Sequence, residues 1–178
     1  MMSPWGTIAG TTLLFLALCI VIDVRTLRIP NLLTVPAILT GFALNAACYG
    51  TDGFTASLAG FGLAIALLFA PFALGGVGAG DVKMMGAVGA LLGPRLLVPS
   101  LMVGMILGGV IAAIRLAGSS RLREKLGDTW RMVANAVLAR SLDPLKAPAS
   151  DPNRVVLPYS LPLGLGTAGV IALSMAKP

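Results

Sequence analysis

The sequence contains no histidine at all. That absence excludes a Ser-His-Asp triad, a Cys-His nucleophile pair and any histidine metal site. Only two cysteines are present, Cys19 and Cys48, and both lie inside apolar segments, too far apart for a CxxC motif. We expect both to be ordinary core residues, because cysteine is among the residue types most often buried. No glycine-rich loop is followed by Lys-Ser or Lys-Thr, so a P-loop phosphate site is not supported either.

The chain is also poor in charged residues. They make up 11% of its 178 positions, whereas hydrophobic residues make up 57% and the mean hydropathy is +0.92. A soluble domain of this length does not need so large an apolar fraction for its core, and long runs without charge recur along the sequence. The composition therefore predicts an integral membrane protein.

The apolar residues are grouped into segments whose lengths suit transmembrane helices. A helix needs about 20 residues to cross the hydrocarbon core, and residues 5–22, 32–49, 54–74, 96–114 and 155–175 form five such segments. Residues 82–93 are too few to cross unaided, and we count them as a sixth, short or tilted helix that begins at Asp81. The predicted fold is all-α: one integral membrane domain over residues 1–178 with about six transmembrane helices. Because no Lys or Arg precedes Arg25, the first segment is expected to be retained rather than removed as a signal peptide.

Basic residues are distributed unevenly among the predicted loops. Eleven of the 13 Lys and Arg residues follow the first, third and fifth of the six predicted segments, and two fall on the other side of the membrane. Short cytoplasmic loops collect Lys and Arg. The pattern therefore predicts an external N-terminus and a cytoplasmic location for the loops that follow the first and third segments.

One sizeable polar region interrupts the apolar segments, at about residues 118–154. Apolar residues recur there at helical spacing, at Leu122, Leu126, Trp130, Val133 and Val137, with Arg and Lys between them. Such a pattern is typical of an amphipathic helix lying on anionic lipid headgroups, and a solvated linker helix without a specific partner fits it equally well. Binding to nucleic acid is not expected, because membrane topology accounts for the net charge of +6.

Two carboxylates stand apart from the others, Asp23 and Asp81, each at the end of an apolar segment. An acid next to hydrocarbon is costly to ionise and usually has a function. Two carboxyl groups held close together cannot both ionise easily, so one remains a base and the other keeps a proton. Such a pair can activate water for attack on an amide carbonyl without a metal or cofactor. The charges of the predicted loops indicate that both aspartates lie at the cytoplasmic face.

The residues around Asp81 suggest further roles. Gly78 and Gly80 remove side chains where an extended peptide substrate would approach the backbone, and Asp81 is expected to cap the helix that follows it. Lys83 lies in the same helix. Its ammonium group either tunes the pair of acids from nearby or anchors the helix at the membrane interface by snorkelling.

Two other classes of function remain open at this point. A small transporter also uses intramembrane acids, to bind cations, although transporters usually contain internal repeats or paired broken helices, and no repeat is evident here. A non-catalytic assembly subunit that packs against partner helices through small residues is the second.

Three motifs carry a resemblance to a known family. Asp23 begins the run DVRTLRIPNLLT, Asp81 lies in GGVGAGDVKMMGAVGALLG, and the last apolar segment opens with LPYSLPLGLGT. In this order the motifs resemble the prepilin peptidase family, the type IV leader peptidases among the GxGD membrane aspartyl proteases. In that family the aspartate before IPN and the aspartate of GxGD form the catalytic dyad. The resemblance thus implies that Asp23 and Asp81 are catalytic.

The resemblance also implies a substrate and a location. Members cleave the short basic leader of type IV pilin-like precursors at the cytoplasmic face of the bacterial inner membrane, just before the hydrophobic helix. Longer members carry a zinc-binding insertion with paired CxxC motifs that accompanies N-methylation of the new terminus, and this chain has neither the room nor the cysteines. It is therefore most similar to the short, peptidase-only branch of Flp or Tad pilus assembly, without methyltransferase activity.

Overall fold

The computed structural model describes residues 4–73, 77–117 and 159–176. All regular secondary structure in these ranges is helical, in four helices: α1 (Pro4–Thr26), α2 (Asn31–Ala73), α3 (Ala79–Ala117) and α4 (Ser160–Ala176). By length and composition α1, α2 and α3 can cross a membrane, and α4 is a shorter apolar helix of 17 residues. The all-α, polytopic membrane fold is thus confirmed, although the described residues form four helices rather than six separate ones.

The difference in number has a local cause, since two of the helices change direction at a glycine. In α2 the break lies at Gly50, whose φ of 65° and ψ of −144° are not helical. The ring of Phe42 lies 5.8 Å from that of Phe54 and 6.0 Å from that of Phe61, measured between centroids. In a straight helix the 19 residues between Phe42 and Phe61 would separate them by about 28 Å. The two halves of α2 therefore lie side by side, as a hairpin.

The second break lies at Gly93 in α3, with φ 70° and ψ 177°. Pro94 follows it, and a proline has no N–H to offer the carbonyl of Ala90, four residues earlier. Two buried side chains from α2 supply donors instead. Asn45 Nδ2 donates to the carbonyl oxygens of Ala90 (3.2 Å) and Leu91 (3.0 Å), and Ser57 Oγ also donates to Ala90. The break is thus stabilised from the neighbouring helix.

Close backbone contacts between helices fix how the bundle is arranged. A Cβ added to Gly60 would lie 2.1 Å from the carbonyl oxygen of Gly89, and one added to Gly41 would lie 2.8 Å from the carbonyl carbon of Ala90. The first half of α3 therefore packs closely against both halves of α2. In membranes, where helices gain little from the hydrophobic effect, such small residues let backbones approach and pack.

Helix α4 packs between the second half of α3 and α1. Its Gly166 lies against Gly104 of α3, and its Gly164 lies against Ile20 of α1. Tyr159, just before α4, contacts Gly108 of α3. As the residue numbers rise along α4 they fall along both neighbours, so α4 is antiparallel to each of them.

These pairings bring one end of every helical stretch to a common level, which we call the aspartate end. It contains the end of α1 at Thr26, the start of α2 at Asn31, the start of α3 at Ala79 and the start of α4 at Ser160. The breaks at Gly50 and Gly93 lie at the opposite end.

The outer surface of the bundle is apolar. Large hydrophobic side chains are exposed on every helix, among them Leu14, Phe69, Ile106 and Leu173. Cys19 is fully buried, as predicted, but Cys48 is exposed on α2, so the expectation that both cysteines belong to the core is wrong for Cys48. In a membrane protein an outward-facing apolar surface contacts lipid, and an apolar residue type does not reveal which way it points.

The predicted segment boundaries agree with the structure at both breaks and differ from it at the start of α3. The predicted end at residue 49 and start at residue 54 flank Gly50, and the predicted end of the short helix at residue 93 is the second break. Helix α3 begins at Ala79 rather than Asp81 and runs without a gap into the predicted fifth segment. The predicted amphipathic region at 118–154, and residues 155–158 of the last segment, lie outside the described residues.

Candidate active site

Asp23 and Asp81 come together at the aspartate end, although 58 positions separate them in the sequence. Asp23 lies in the last turn of α1 and Asp81 in the first turn of α3. They are 7% and 8% exposed, and each carboxylate lies within electrostatic range of the other. The sequence-predicted pair is thus a pair in space, buried at the edge of the bundle.

Asp23 has a side-chain partner from a distant helix. The hydroxyl of Ser160, the first residue of α4, donates to Asp23 Oδ2 at 2.5 Å. Ser160 is fully buried. The backbone carbonyl of Asp23 accepts the N–H of Leu27 (2.7 Å), which closes α1 in the left-handed conformation, with φ 52° at Leu27. Asp23 is therefore held both by its own helix end and by α4.

Asp81 is held by the turn that precedes its helix. Its Oδ2 accepts the backbone N–H of Gly78 at 3.3 Å, while the Gly78 carbonyl accepts the N–H groups of Asp81 (3.1 Å) and Val82 (3.2 Å). Asp81 therefore caps its helix, as predicted, but from the third residue of the helix rather than from its start. It lies inside the first turn and bonds back to the residue before the helix, as the acidic member of a capping box does.

The two glycines of the GAGD run differ in what surrounds them. A Cβ on Gly78 would lie 3.1 Å from Asp81 Oδ2, so a side chain there would crowd the carboxylate itself. A Cβ on Gly80 would meet Ile29 at 3.4 Å, in ordinary contact. Gly78 is exposed and leaves open space next to Asp81, whereas Gly80 packs against the chain that links α1 and α2. The predicted approach of a substrate backbone remains a prediction for both.

Lys83 bonds to neither aspartate in the part of the chain described. Its Nζ donates to Asn31 Oδ1 at 2.8 Å, and both side chains are exposed. The bond ties the start of α2, in the IPN motif, to the start of α3, in the GAGD motif. Lys83 thus connects the two motif-bearing elements and leaves the carboxylates to other partners.

A buried thiol lies close to the two aspartates. Cys19 precedes Asp23 by one helical turn, is fully buried, and lies within electrostatic range of both aspartates. Among the described residues, no group of three His, Cys, Asp or Glu side chains is arranged to hold a metal ion. The expectation that no metal takes part stays a prediction.

This arrangement can carry out acid-base chemistry. Two buried carboxyl groups within electrostatic range favour a state with one shared proton, in which one group is a base and the other an acid. Both lie within one turn of a helix end rather than in the middle of a helix. A water molecule between them would meet a proton acceptor and a proton donor at once.

Two residues at the site were missed by the sequence reasoning. Ser160 is part of the run LPYSLPLGLGT, but a single serine at the start of an apolar segment carries no signal of its own. Asn31 stands just before the predicted second segment and is the first residue of α2. Both could have been noticed as polar residues on the same predicted side of the membrane as the two aspartates.

Comparison with known proteins identifies a family. The sequence profile of the type IV leader peptidase family matches residues 11–113, which include both aspartate motifs and end before the third motif. No curated protein matches the chain, and no solved structure does. The matched range is more than half of the chain, and the protein therefore belongs to the type IV leader peptidase family.

Proposed function

We propose that this protein is an aspartyl endopeptidase of the GxGD type that removes the leader peptide of type IV pilin-like precursors. The observation that carries the proposal is the meeting of Asp23 and Asp81, each buried, at one end of a membrane-embedded bundle. Membership of a leader peptidase family supports the reaction class. The alternative of a cation transporter has no comparable support.

The reaction uses one water molecule. The ionised carboxylate removes a proton from water as the water oxygen attacks the scissile carbonyl carbon, and the protonated carboxyl group donates its proton to the carbonyl oxygen. When the C–N bond breaks, the proton taken from water passes to the leaving nitrogen. Neither a metal nor a cofactor is needed.

We further propose six membrane crossings, with the aspartate end in the cytoplasm. Each half of α2 and of α3 makes its own crossing, because both helices fold back at a glycine. Arg25, Arg28 and Lys83 are exposed at the aspartate end, and cytoplasmic loops are enriched in such residues. The N-terminus then lies outside the cytoplasm. The membrane is the bacterial inner membrane.

The location of the aspartates suits a substrate that is half in the membrane. A precursor with a basic leader and an apolar helix would place the helix in lipid next to the bundle and the leader in the cytoplasm. The bond between the two would then lie at the level of the aspartates. Arg25 and Arg28 repel a basic leader, so they are poor candidates for binding it.

The chain most resembles the short branch that serves Flp or Tad pili, and we propose that it lacks methyltransferase activity. The test is to reconstitute the protein in liposomes with a prepilin of that type and to analyse the products by mass spectrometry. We expect a single cut before the hydrophobic helix and a new N-terminus without an added methyl group. Absence of cleavage, with the protein folded and the prepilin inserted, would contradict the proposed activity.

A further inference from the structure

The two carboxyl groups of the site are not equivalent. Asp23 accepts a hydroxyl hydrogen bond from Ser160 at 2.5 Å, whereas Asp81 accepts one backbone N–H from Gly78 at 3.3 Å. The Asp23 donor is a fully buried hydroxyl group, whereas the Asp81 donor is the backbone N–H of an exposed glycine. The donor that is shielded from water thus belongs to Asp23.

We propose that Ser160 is a positioning residue that keeps Asp23 ionised, so that Asp23 is the base of the pair and Asp81 carries the shared proton. This inference rests on the proposed peptidase function and specifies the roles inside that site. The serine acts through Asp23 and does not itself touch the substrate.

The geometry gives the physical reason. A buried carboxylate without a donor keeps the full cost of losing its water, and a hydroxyl directed at its oxygen offsets part of that cost. A donor also favours the ionised form of the acid over the protonated form. Because Ser160 is fully buried, water does not replace its hydroxyl easily if it is removed.

Other titratable groups near Asp23 do not stabilise its ionised form in the same way. From its own helix it faces the Cys19 thiol, and from α3 it faces Asp81, which repels a second charge. Helix α4 contains no titratable residue, and on α2 the titratable residues Cys48, Tyr49 and Asp52 lie at the opposite end.

The basic residues at the aspartate end have contacts other than the Asp23 carboxylate. Lys83 donates to Asn31, and Arg25 and Arg28 are exposed. Tyr159 contacts Gly108. Within the described residues, the hydrogen bond to the Asp23 carboxylate thus comes from Ser160.

The assignment fixes the path of each proton. Asp23 takes a proton from water while the water oxygen bonds to the carbonyl carbon, and Asp81 gives its proton to the carbonyl oxygen. Asp23 then passes its proton to the leaving nitrogen as the C–N bond breaks. Asp81 recovers a proton from the hydroxyl group as the new carboxyl group forms, which returns both residues to their starting states.

The test compares Ser160→Ala with Ser160→Thr and Ser160→Cys in prepilin cleavage, with initial rates measured across the pH range. Ser100→Ala is the matched control. Ser100 is equally buried, and its Oγ has no hydrogen-bond partner in the described structure, so the same substitution there removes no bond. All variants are first checked for membrane insertion and for a single peak in size-exclusion chromatography in detergent.

Without the hydroxyl, the Asp23 anion is less stable and binds a proton at higher pH. We expect the acidic limb of the Ser160→Ala profile to move upward by roughly one pH unit. Below the wild-type limb, kcat falls about tenfold with KM unchanged. Ser160→Thr, which keeps a hydroxyl, restores the limb, and Ser100→Ala leaves it in place.

An acidic limb that does not move in Ser160→Ala would overturn the inference, as would an equal shift in Ser100→Ala. If Ser160→Ala fails to insert, Ser160→Cys decides the matter, because its weak S–H donor should leave the limb between those of the alanine variant and the wild type. An unmoved limb in that variant also overturns the inference.

Failure of the proposed function looks different. In that case wild-type protein does not cleave prepilin, or Asp23→Asn and Asp81→Asn still do. If the wild type cleaves, both asparagine variants are inactive and the Ser160 variants keep the wild-type limb, only the role of Ser160 is wrong.

Discussion

At the scale of single residues, the site owes its character to two acids in different surroundings. Asp23 is held by a side chain from another helix, and Asp81 by the turn of its own. Both are buried, yet both lie at helix ends rather than at mid-span. In the proposed topology the pair lies at the membrane edge, where ionisation is less costly than at the bilayer centre.

A bell-shaped dependence of cleavage on pH is expected from this pair. At low pH both carboxyl groups are protonated and no base is present, whereas at high pH both are ionised and no acid is present. Initial rates of prepilin cleavage in liposomes, measured from acidic to alkaline pH at saturating substrate, provide the check. A rate that stays constant from acidic to neutral pH would contradict a shared proton.

Sequence reasoning identified the aspartates because acids are rare at the ends of apolar segments. It missed Ser160, because serine is common at such positions and only the packing of α4 against α1 directs its hydroxyl at Asp23. It also put the start of the helix at Asp81, two residues after the observed start at Ala79. The start of a helix depends on where the first carbonyl acceptor lies, here Gly78, and a GAGD run offers several candidates.

At the scale of helices, the breaks at Gly50 and Gly93 decide the architecture. Both residues have positive φ, which glycine adopts without the steric cost that other residues incur. At the second break the Ala90 carbonyl, which loses its helical donor to Pro94, is bonded by Asn45 and Ser57. Glycine, proline and two buried polar residues together make one helix turn back.

Glycine contacts between the helices should be intolerant of even a methyl group. In Gly60→Ala the new Cβ would lie 2.1 Å from the carbonyl oxygen of Gly89, a backbone atom that cannot move aside alone. We expect a loss of about 3 kcal/mol or more in the free energy of unfolding, measured by denaturation in detergent.

Gly62→Ala is the control for that substitution. Gly62 lies in the same half of α2, is exposed, and has open space where its Cβ would be. Alanine has the higher helix propensity, so this variant should be unchanged or more stable by up to about 1 kcal/mol. Equal stability of the two variants would contradict the close crossing of α2 and α3.

Helix boundaries were predictable to the extent that composition changes at them. The polar residues near position 50 and the run around Gly93 mark both breaks in the sequence. What composition does not reveal is whether the helix stops or bends, because a bend depends on donors such as Asn45 that come from another helix.

At the scale of the whole molecule, the packing places the helix ends that form the aspartate end and the two glycine breaks at opposite ends of the bundle. Ile29, in the link between α1 and α2, contacts Gly80 at the start of α3, and the turns at Gly50 and Gly93 lie at the far end. This alternation is what a six-crossing protein requires, since each crossing reverses the side of the chain.

Accessibility of single cysteines tests the six crossings. We expect Arg28→Cys to react with a membrane-impermeant maleimide from the cytoplasmic side, and Asp52→Cys and Arg95→Cys to react from the outside. All three positions are exposed. The background is Cys48→Ser, with the buried Cys19 retained. Labelling of positions 28 and 95 from the same side would contradict the proposed topology.

The partnership of Asp23 with Asp81 is the part of the fold that the sequence alone did not provide. Loop charges predicted that both acids face the same side, but several helix arrangements satisfy that condition. Their meeting depends on how α3 packs against the two halves of α2, and hence on Gly41, Gly60 and Gly89. Tertiary packing of this kind leaves little trace in a single sequence.

The central claim is that Asp23 and Asp81 form one catalytic unit, and the initial rate of prepilin cleavage by single asparagine variants in liposomes tests it most directly. Asp23→Asn and Asp81→Asn should each lower the rate by about 10³-fold or more, to background, because either loss removes the base-acid pair. Asp52→Asn, at an exposed site at the opposite end, should cleave at the wild-type rate. Substantial cleavage by either dyad variant, with the protein folded and inserted, would contradict the account.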